Sequence, residues 1–338
     1  MSDRSQEIRF ASRPAGEPEK ANFELAETEM PAAGAGQALV RNVYMSVDPY
    51  MRGRMRDIKS YTPPFQIGVP LDGGAVGVVE DSNTDALSPG DLVSSRLGWR
   101  SHFAAPAAEL QKIETHGAPL SAFLGVLGMP GMTAYVGLLD IGEPKEGETV
   151  LVSAAAGAVG SLVGQIAKIK GCRAVGSAGS ADKVAHLVSD LGYDAAFDYH
   201  GDLNRNLADT CPDGIDVYFE NVGGPTLEAV LLHMNMFGRI PVCGMIAHYN
   251  DEEPRPGPRT LISIIPKRLK MQGFIVSDHM DRRADFVRDT ARWIAEGKVV
   301  YRETIVSGLE NAPEAFMGLF RGENTGKMVV QISDDPTT

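Results

Sequence analysis

AAAGAVGSLVG, residues 154–164, follows a continuous apolar run, Thr149-Val-Leu-Val-Ser153, and leads into a stretch where Val159, Leu162, Val163 and Ile166 recur at helical spacing. Ala155, Gly157 and Gly160 stand where a dinucleotide-binding turn has its three glycines, with alanine in the first place. Gly157 lets the main chain approach a pyrophosphate, and Gly160 lets helix and strand lie close together. A helix starting near Ala158 would turn its free N–H groups and positive dipole end toward the anion, so Ala158 and Val159 join the candidate loop. The bland alternative is a tight βα turn with small residues chosen for packing. The βαβ setting favours the dinucleotide site.

The same texture continues downstream. Arg173 to Ser177 reads as a strand, and Val184, Leu187, Val188 and Leu191 form a second helical stripe behind Ser180 as N-cap. Further strands are expected at 195–199, 215–219, 239–244 and 273–276. Alternating βα units predict a doubly wound (Rossmann) parallel sheet with right-handed crossovers. The end of the second strand reads Ser177-Ala-Gly-Ser180 with Lys183 beyond it, and offers no carboxylate to a ribose 2′-hydroxyl. An open Gly/Ser turn beside an ammonium suits a 2′-phosphate, which selects NADP(H) over NAD(H). The competing reading of Lys183 is an exposed first-turn lysine.

Upstream, short β-prone runs at 38–47, 76–79 and 92–93 alternate with Gly/Pro punctuation, as in a compact β-rich domain. Residues 301–332 return to strand, short helix and strand, and are read as rejoining it. A length of 338 residues favours two domains. A net charge of −12 argues against nucleic acid or anionic lipid as partner. Cys172, Cys211 and Cys243 are too scattered for a disulfide framework or a metal clip. The first ten residues lack an apolar core, and 120–139, although uncharged, is broken by Gly and Pro. A reduced, soluble, cytoplasmic-type protein is expected, with no membrane span. No cysteine precedes Gly157, and His102 and His116 lack metal-ligand spacing, so no metal is expected.

Seven segments then carry a specific resemblance: VYMSVDPYMRGRM (43–55), GMPGMTAYVGLLDIG (128–142), AAAGAVGSLVGQIAKIKGC (154–172), YFENVGG (218–224), CGMIAHYN (243–250), GFIV (273–276) and GENTGKMV (322–329). Together they resemble the zinc-independent medium-chain dehydrogenase/reductases, specifically the prostaglandin reductase, leukotriene hydroxydehydrogenase and alkenal (curcumin) double-bond reductase family. The resemblance implies an α/β architecture: a GroES-like β-rich substrate domain (1–125 and 305–338) around an inserted Rossmann domain (126–304). It places cofactor contacts on Gly157 to Gly160, Lys183, Tyr199, Asn221, the loop containing Cys243, Gly244 and Met245, Phe274, Ile275, Val276 and Asn324. It also implies a homodimer.

The expected reaction is NADPH-dependent reduction of the carbon–carbon double bond of an enal or enone, with hydride to the β-carbon, an enolate, and protonation at the α-carbon. Tyr249 follows a strand at the carboxyl edge of the sheet, where such folds bind ligands, and a phenol stays protonated at neutral pH. It is the candidate donor to the enolate oxygen, against a loop tyrosine that only positions substrate. Tyr50, Arg52, Met129 and Tyr135 are expected to line the substrate pocket, with Arg52 either meeting a distant carboxylate or bonding main chain in its own loop. The competing functions are a zinc-free quinone reductase and a non-catalytic NADPH-binding protein.

Overall fold

Thr149–Val152 is a strand with all four residues buried, as an unbroken apolar run requires in a sheet covered on both faces. The structure, a computed structural model, describes residues Arg4–Thr337. It divides into two units: residues up to Leu124 with Glu303–Asn324 and the chain from Met328, and Gly125–Arg302 with Thr325–Lys327.

The second unit carries the sheet. Its strands are β1 (Thr149–Val152), β2 (Arg173–Ala178), β3 (Ala195–Asp198), β4 (Ile215–Phe219), β5 (Met234–Val242) and β6 (Lys270–Gly273). They lie in the order β3-β2-β1-β4-β5-β6, with every adjacent pair parallel. This is the doubly wound order, whose switch point falls between β1 and β4. Helices α1 (Gly160–Ile169), α2 (Ala181–Ser189), α3 (Leu203–Thr210) and α4 (Gly224–His233) follow β1 to β4 in turn. Ser180 caps α2 by accepting from Lys183 N–H, and Asp202 caps α3 by accepting from Arg205 N–H. Gly164 of α1 is needed because a Cβ there would lie 2.0 Å from the Tyr193 ring. The Tyr193 hydroxyl in turn donates to Gly160 O at 2.6 Å.

Two strand expectations shift. The last strand is 270–273 rather than 273–276, because it is the sheet edge and its polar, exposed residues carry no apolar signal. The apolar Phe274-Ile-Val lies just past its carboxyl end. β5 starts at Met234 and ends at Val242, so the expected 239–244 run covers only its second half. The uncharged stretch 120–139 is cut into a 3₁₀ turn, a helix at Met129–Val136 and the start of a π turn at Gly137–Gly142. Among the described residues no helix is long and apolar enough to cross a membrane.

The first unit is β-rich. A seven-stranded sheet runs in the order 303–307, 327–331, 37–46, 75–82, 92–95, 111–112, with 102–106 also paired to 37–46. The late strand pairs antiparallel with the early one through Val329↔Ser46 and Val330↔Met45, so both ends of the chain build one sheet. Its core includes Phe10, Phe23, Met45, Trp99 and Phe316, with Phe23 stacked on Trp99 at 5.9 Å between centroids.

The Gly164–Tyr193 contact predicts that Gly164→Ala lowers stability by about 1–3 kcal/mol through overpacking. Gly53→Ala serves as control, since a Cβ at Gly53 meets nothing within 4 Å. Thermal melts of the two variants check this; equal melting temperatures would contradict it.

Candidate cofactor and active site

The turn after β1 is fixed from several sides. Ala154 sits at φ 49, left-handed without being glycine, a conformation that costs of order 1 kcal/mol and persists only when its surroundings enforce it. Ala155 N–H donates to Ser177 O at 3.0 Å, tying the turn to β2. The strained position is therefore Ala154, one residue before the place assigned to the first glycine, while Ala155 is fully buried. A Cβ on Gly160 would lie 2.5 Å from Ala154 O and 2.7 Å from Ala155 Cα, so only glycine lets α1 begin there. A Cβ on Gly157 would meet only Ala154 O, at 3.2 Å. The helix starts at Gly160 rather than near Ala158. Val159 is its N-cap and makes no side-chain cap bond, so no side chain of that residue covers the first amides.

Residues Thr325–Lys327 run beside this turn. Gly326 N–H donates to Ala156 O at 2.8 Å, and Gly326 is paired with Gly157. Gly326, at φ 69, cannot be replaced by a residue with a Cβ, which would fall 1.8 Å from Arg302 O. Asn324 is the residue two before it. At the end of β2, Ser177 to Ser180 contain no carboxylate, and Lys183 lies in the first turn of α2. Partial burial lowers the Lys183 ammonium pKa from its ordinary value. The exposed Tyr199 ring lies tilted against His200 with 4.3 Å between centroids, and its hydroxyl stands 2.9 Å from where a Gly179 Cβ would be.

Beyond β4, the Asn221 amide donates to Ser153 O at 2.7 Å and its main-chain N–H to Ser153 Oγ at 2.9 Å. The adjacent Glu220 has no exposure at all. Its Oε1 accepts from Ser153 Oγ (3.1 Å), Tyr218 OH (2.9 Å) and the amides of Val222 (2.6 Å) and Gly223 (2.9 Å). Burial raises the Glu220 pKa despite these donors. Sequence reasoning gave Glu220 no task; an acidic residue directly after an apolar strand was the available signal.

The loop from Cys243 then docks on this corner. Cys243 and Gly244 N–H donate to Glu220 O, Ile246 N–H to Asn221 O, and Ala247 N–H to Val222 O. Burial pushes the Cys243 thiol up to about 12, so it stays protonated at neutral pH. The Tyr249 hydroxyl folds back over Gly244, 2.8 Å from where a Cβ would sit, and accepts from Met245 N–H at 3.4 Å. Phe274 packs edge-on against Phe219, with Ile275 and Val276 next in the chain. Gly137 makes room for it, since a Cβ there would lie 2.4 Å from Phe274 Cζ.

Two pocket expectations are corrected. Arg52 is wholly buried and donates to Gly16 O at 2.7 Å, so it ties its segment to the distant Ala15–Gly16 stretch instead of bonding main chain in its own loop. Burial, with Arg56 nearby, lowers its pKa to about 10. Tyr135 is 3% exposed, donates to Asp289 Oδ2 at 2.8 Å and packs against Phe286 and Trp293, which makes it core. Met129 is exposed, and Tyr50 is half-buried, with burial and Asp48 raising its phenol pKa. Asp72 is engaged by Arg54, whose guanidinium also lies 4.0 Å above the Phe65 ring. Among the described residues no group of three or more His, Cys, Asp or Glu is placed to hold a metal ion.

The chain is similar to known proteins in sequence and fold. Residues 6–113 match the family model described as the N-terminal domain of oxidoreductase, and 158–296 match the one described as zinc-binding dehydrogenase. The NADPH-dependent curcumin reductase of Escherichia coli is 48% identical over 96% of each chain. The NADP(+)-dependent 2-alkenal reductase of Nicotiana tabacum is 49% identical, over 89% of this chain and 88% of its own. The crystal structure of CurA in complex with NADPH from Vibrio vulnificus superposes with a TM-score of 0.94 at 46% identity, covering 98% of this chain and 100% of that one. On this likeness in sequence and fold, the chain belongs to the medium-chain dehydrogenase/reductase family, in its prostaglandin, alkenal and curcumin reductase branch.

Proposed function

We propose that the protein is an NADPH-dependent reductase of the α,β double bond of enals and enones. The observation that carries the cofactor assignment is the turn at Ala154–Gly160 joined to the carboxylate-free end of β2. Glycine is obligatory at Gly160 and leaves little obstruction at Gly157, while the N-cap of α1 has no side-chain cap bond. Gly157 to Gly160 would hold the pyrophosphate, and Lys183 and Tyr199 the 2′-phosphate and its ribose. Asn221, Cys243 to Met245 and Phe274 to Val276 would border the rest of the cofactor. The C=C specificity is supported by curcumin and 2-alkenal reductases at 48% and 49% identity.

When bound, the dihydronicotinamide supplies the hydride that goes to the substrate β-carbon. The chain's own residues deal with the charge that then develops on the carbonyl oxygen. Tyr249, a phenol at the carboxyl edge of the sheet, donates a hydrogen bond to that oxygen as the enolate forms. Met129 offers an exposed apolar surface for the substrate's hydrocarbon part.

The working form is proposed to be a homodimer. β6 ends the sheet, and Met236, Phe237, Ile262 and Ile265 expose large apolar surfaces on the neighbouring elements. Pairing of this edge with a second copy would cover both.

Three measurements test these assignments. Lys183→Ala should raise KM for NADPH by roughly tenfold, about 1.4 kcal/mol, and leave KM for NADH unchanged; equal effects on both would contradict the 2′-phosphate role. Tyr249→Phe should lower kcat on a 2-alkenal by roughly 10²-fold, the scale of one lost donor, and wild-type turnover would remove Tyr249 from the chemistry. Ile265→Glu should elute as the 36.2 kDa monomer in light scattering while the wild type has twice that mass. A wild type at the monomer mass would refute the dimer.

A further inference from the structure

The seam between the Tyr249 loop and the β4 corner is closed by a side chain that the reaction itself does not use. His248 Nε2 accepts from Gly224 N–H at 3.1 Å, and its Nδ1 lies 2.9 Å from Asp251 Oδ2. Because a main-chain N–H points at Nε2, that nitrogen is bare and the proton sits on Nδ1, donated to Asp251. Asp251 is held in turn by Arg255 at 2.7 Å. The ring lies against the double-glycine corner: Gly223 and Gly224 have φ 75 and 55, and a Cβ on Gly223 would come within 3.1 Å of His248 Cδ2.

Tyr249 is the next residue. The 3₁₀ turn Ile246–His248 in front of it has no side-chain cap, and Tyr249 N–H bonds Ile246 O at 3.2 Å as its C-cap. The turn's first two residues are bonded to the β4 corner through Ile246 N–H to Asn221 O and Ala247 N–H to Val222 O, which leaves its last residue, His248, to be held by its side chain. The bond from Gly224 to His248 ties the end of that turn to the first residue of α4, which is itself anchored in the sheet by β4.

We propose that His248 is a positioning residue: it fixes the turn that carries Tyr249 by accepting the Gly224 N–H, and so sets where the Tyr249 hydroxyl points during turnover. This rests on Tyr249 being the donor to the substrate oxygen. His248 touches neither substrate nor cofactor in this scheme, so its loss appears in kcat and not in cofactor binding. Misplacement of a catalytic group by about 1 Å is enough to cost one to two orders of magnitude.

The test uses the full chain with NADPH and a 2-alkenal, in four variants: His248→Ala, His248→Gln, Tyr249→Phe and the His248→Ala/Tyr249→Phe double. His248→Ala should lower kcat by about tenfold and leave KM for NADPH within about twofold. His248→Gln, whose amide oxygen can accept the same N–H, should recover most of the loss. In the Tyr249→Phe background, His248→Ala should have no further effect, because a residue acting only through the phenol has nothing left to position. Additive losses, or a rise in KM for NADPH matching the fall in kcat, would overturn the proposal while leaving Tyr249 in place. A Tyr249→Phe enzyme at the wild-type rate would overturn both readings together.

Discussion

The turn from Ser153 to Gly160 is where the dinucleotide-binding unit is stitched together. Within a few residues it bonds to β2 through Ala155, to the end of β4 through Ser153, and to the late segment around Gly326 through Ala156. These contacts hold Ala154 in a left-handed conformation that it would not adopt alone. Gly160 tolerates no side chain because Ala154 O and Ala155 Cα of the same turn lie too close. No side chain of Val159 caps the start of α1 beyond the turn.

A second constraint lies one strand away. Glu220 is buried, yet one of its oxygens collects four donors, two of them amides of the corner that leads into α4. Buried polar groups are costly unless satisfied, and here the cost is offset by fixing Asn221 to Gly224 in a single arrangement. The Cys243 to Asp251 loop zips onto that corner through main-chain bonds. Cofactor turn, β4 corner and Tyr249 loop thus form one hydrogen-bonded chain along the carboxyl edge of the sheet, where ligands of doubly wound folds bind.

Much of this was legible in the sequence because it follows from local rules. The apolar run at 149–152, the glycine spacing and the Ser180 cap each have a period or a position that needs no knowledge of distant residues. What was not legible depends on partners far along the chain. Arg52 and Tyr135 lie in segments expected to line the pocket, and only the fold reveals Gly16 O and Asp289 as their partners. The edge strand 270–273 was misplaced because exposure removes the apolar pattern that betrays an inner strand. Glu220 and His248 act through hydrogen bonds, many of them to near neighbours in the chain, whose geometry only the folded loops define.

The central claim is that hydride reaches the β-carbon of a conjugated double bond. It is tested most directly by following the label from NADPH deuterated at the transferring position into a 2-alkenal by NMR. The account predicts deuterium on C3 of the saturated aldehyde. Deuterium on C1 of an allylic alcohol, or turnover with a benzoquinone and none with the alkenal, would contradict it.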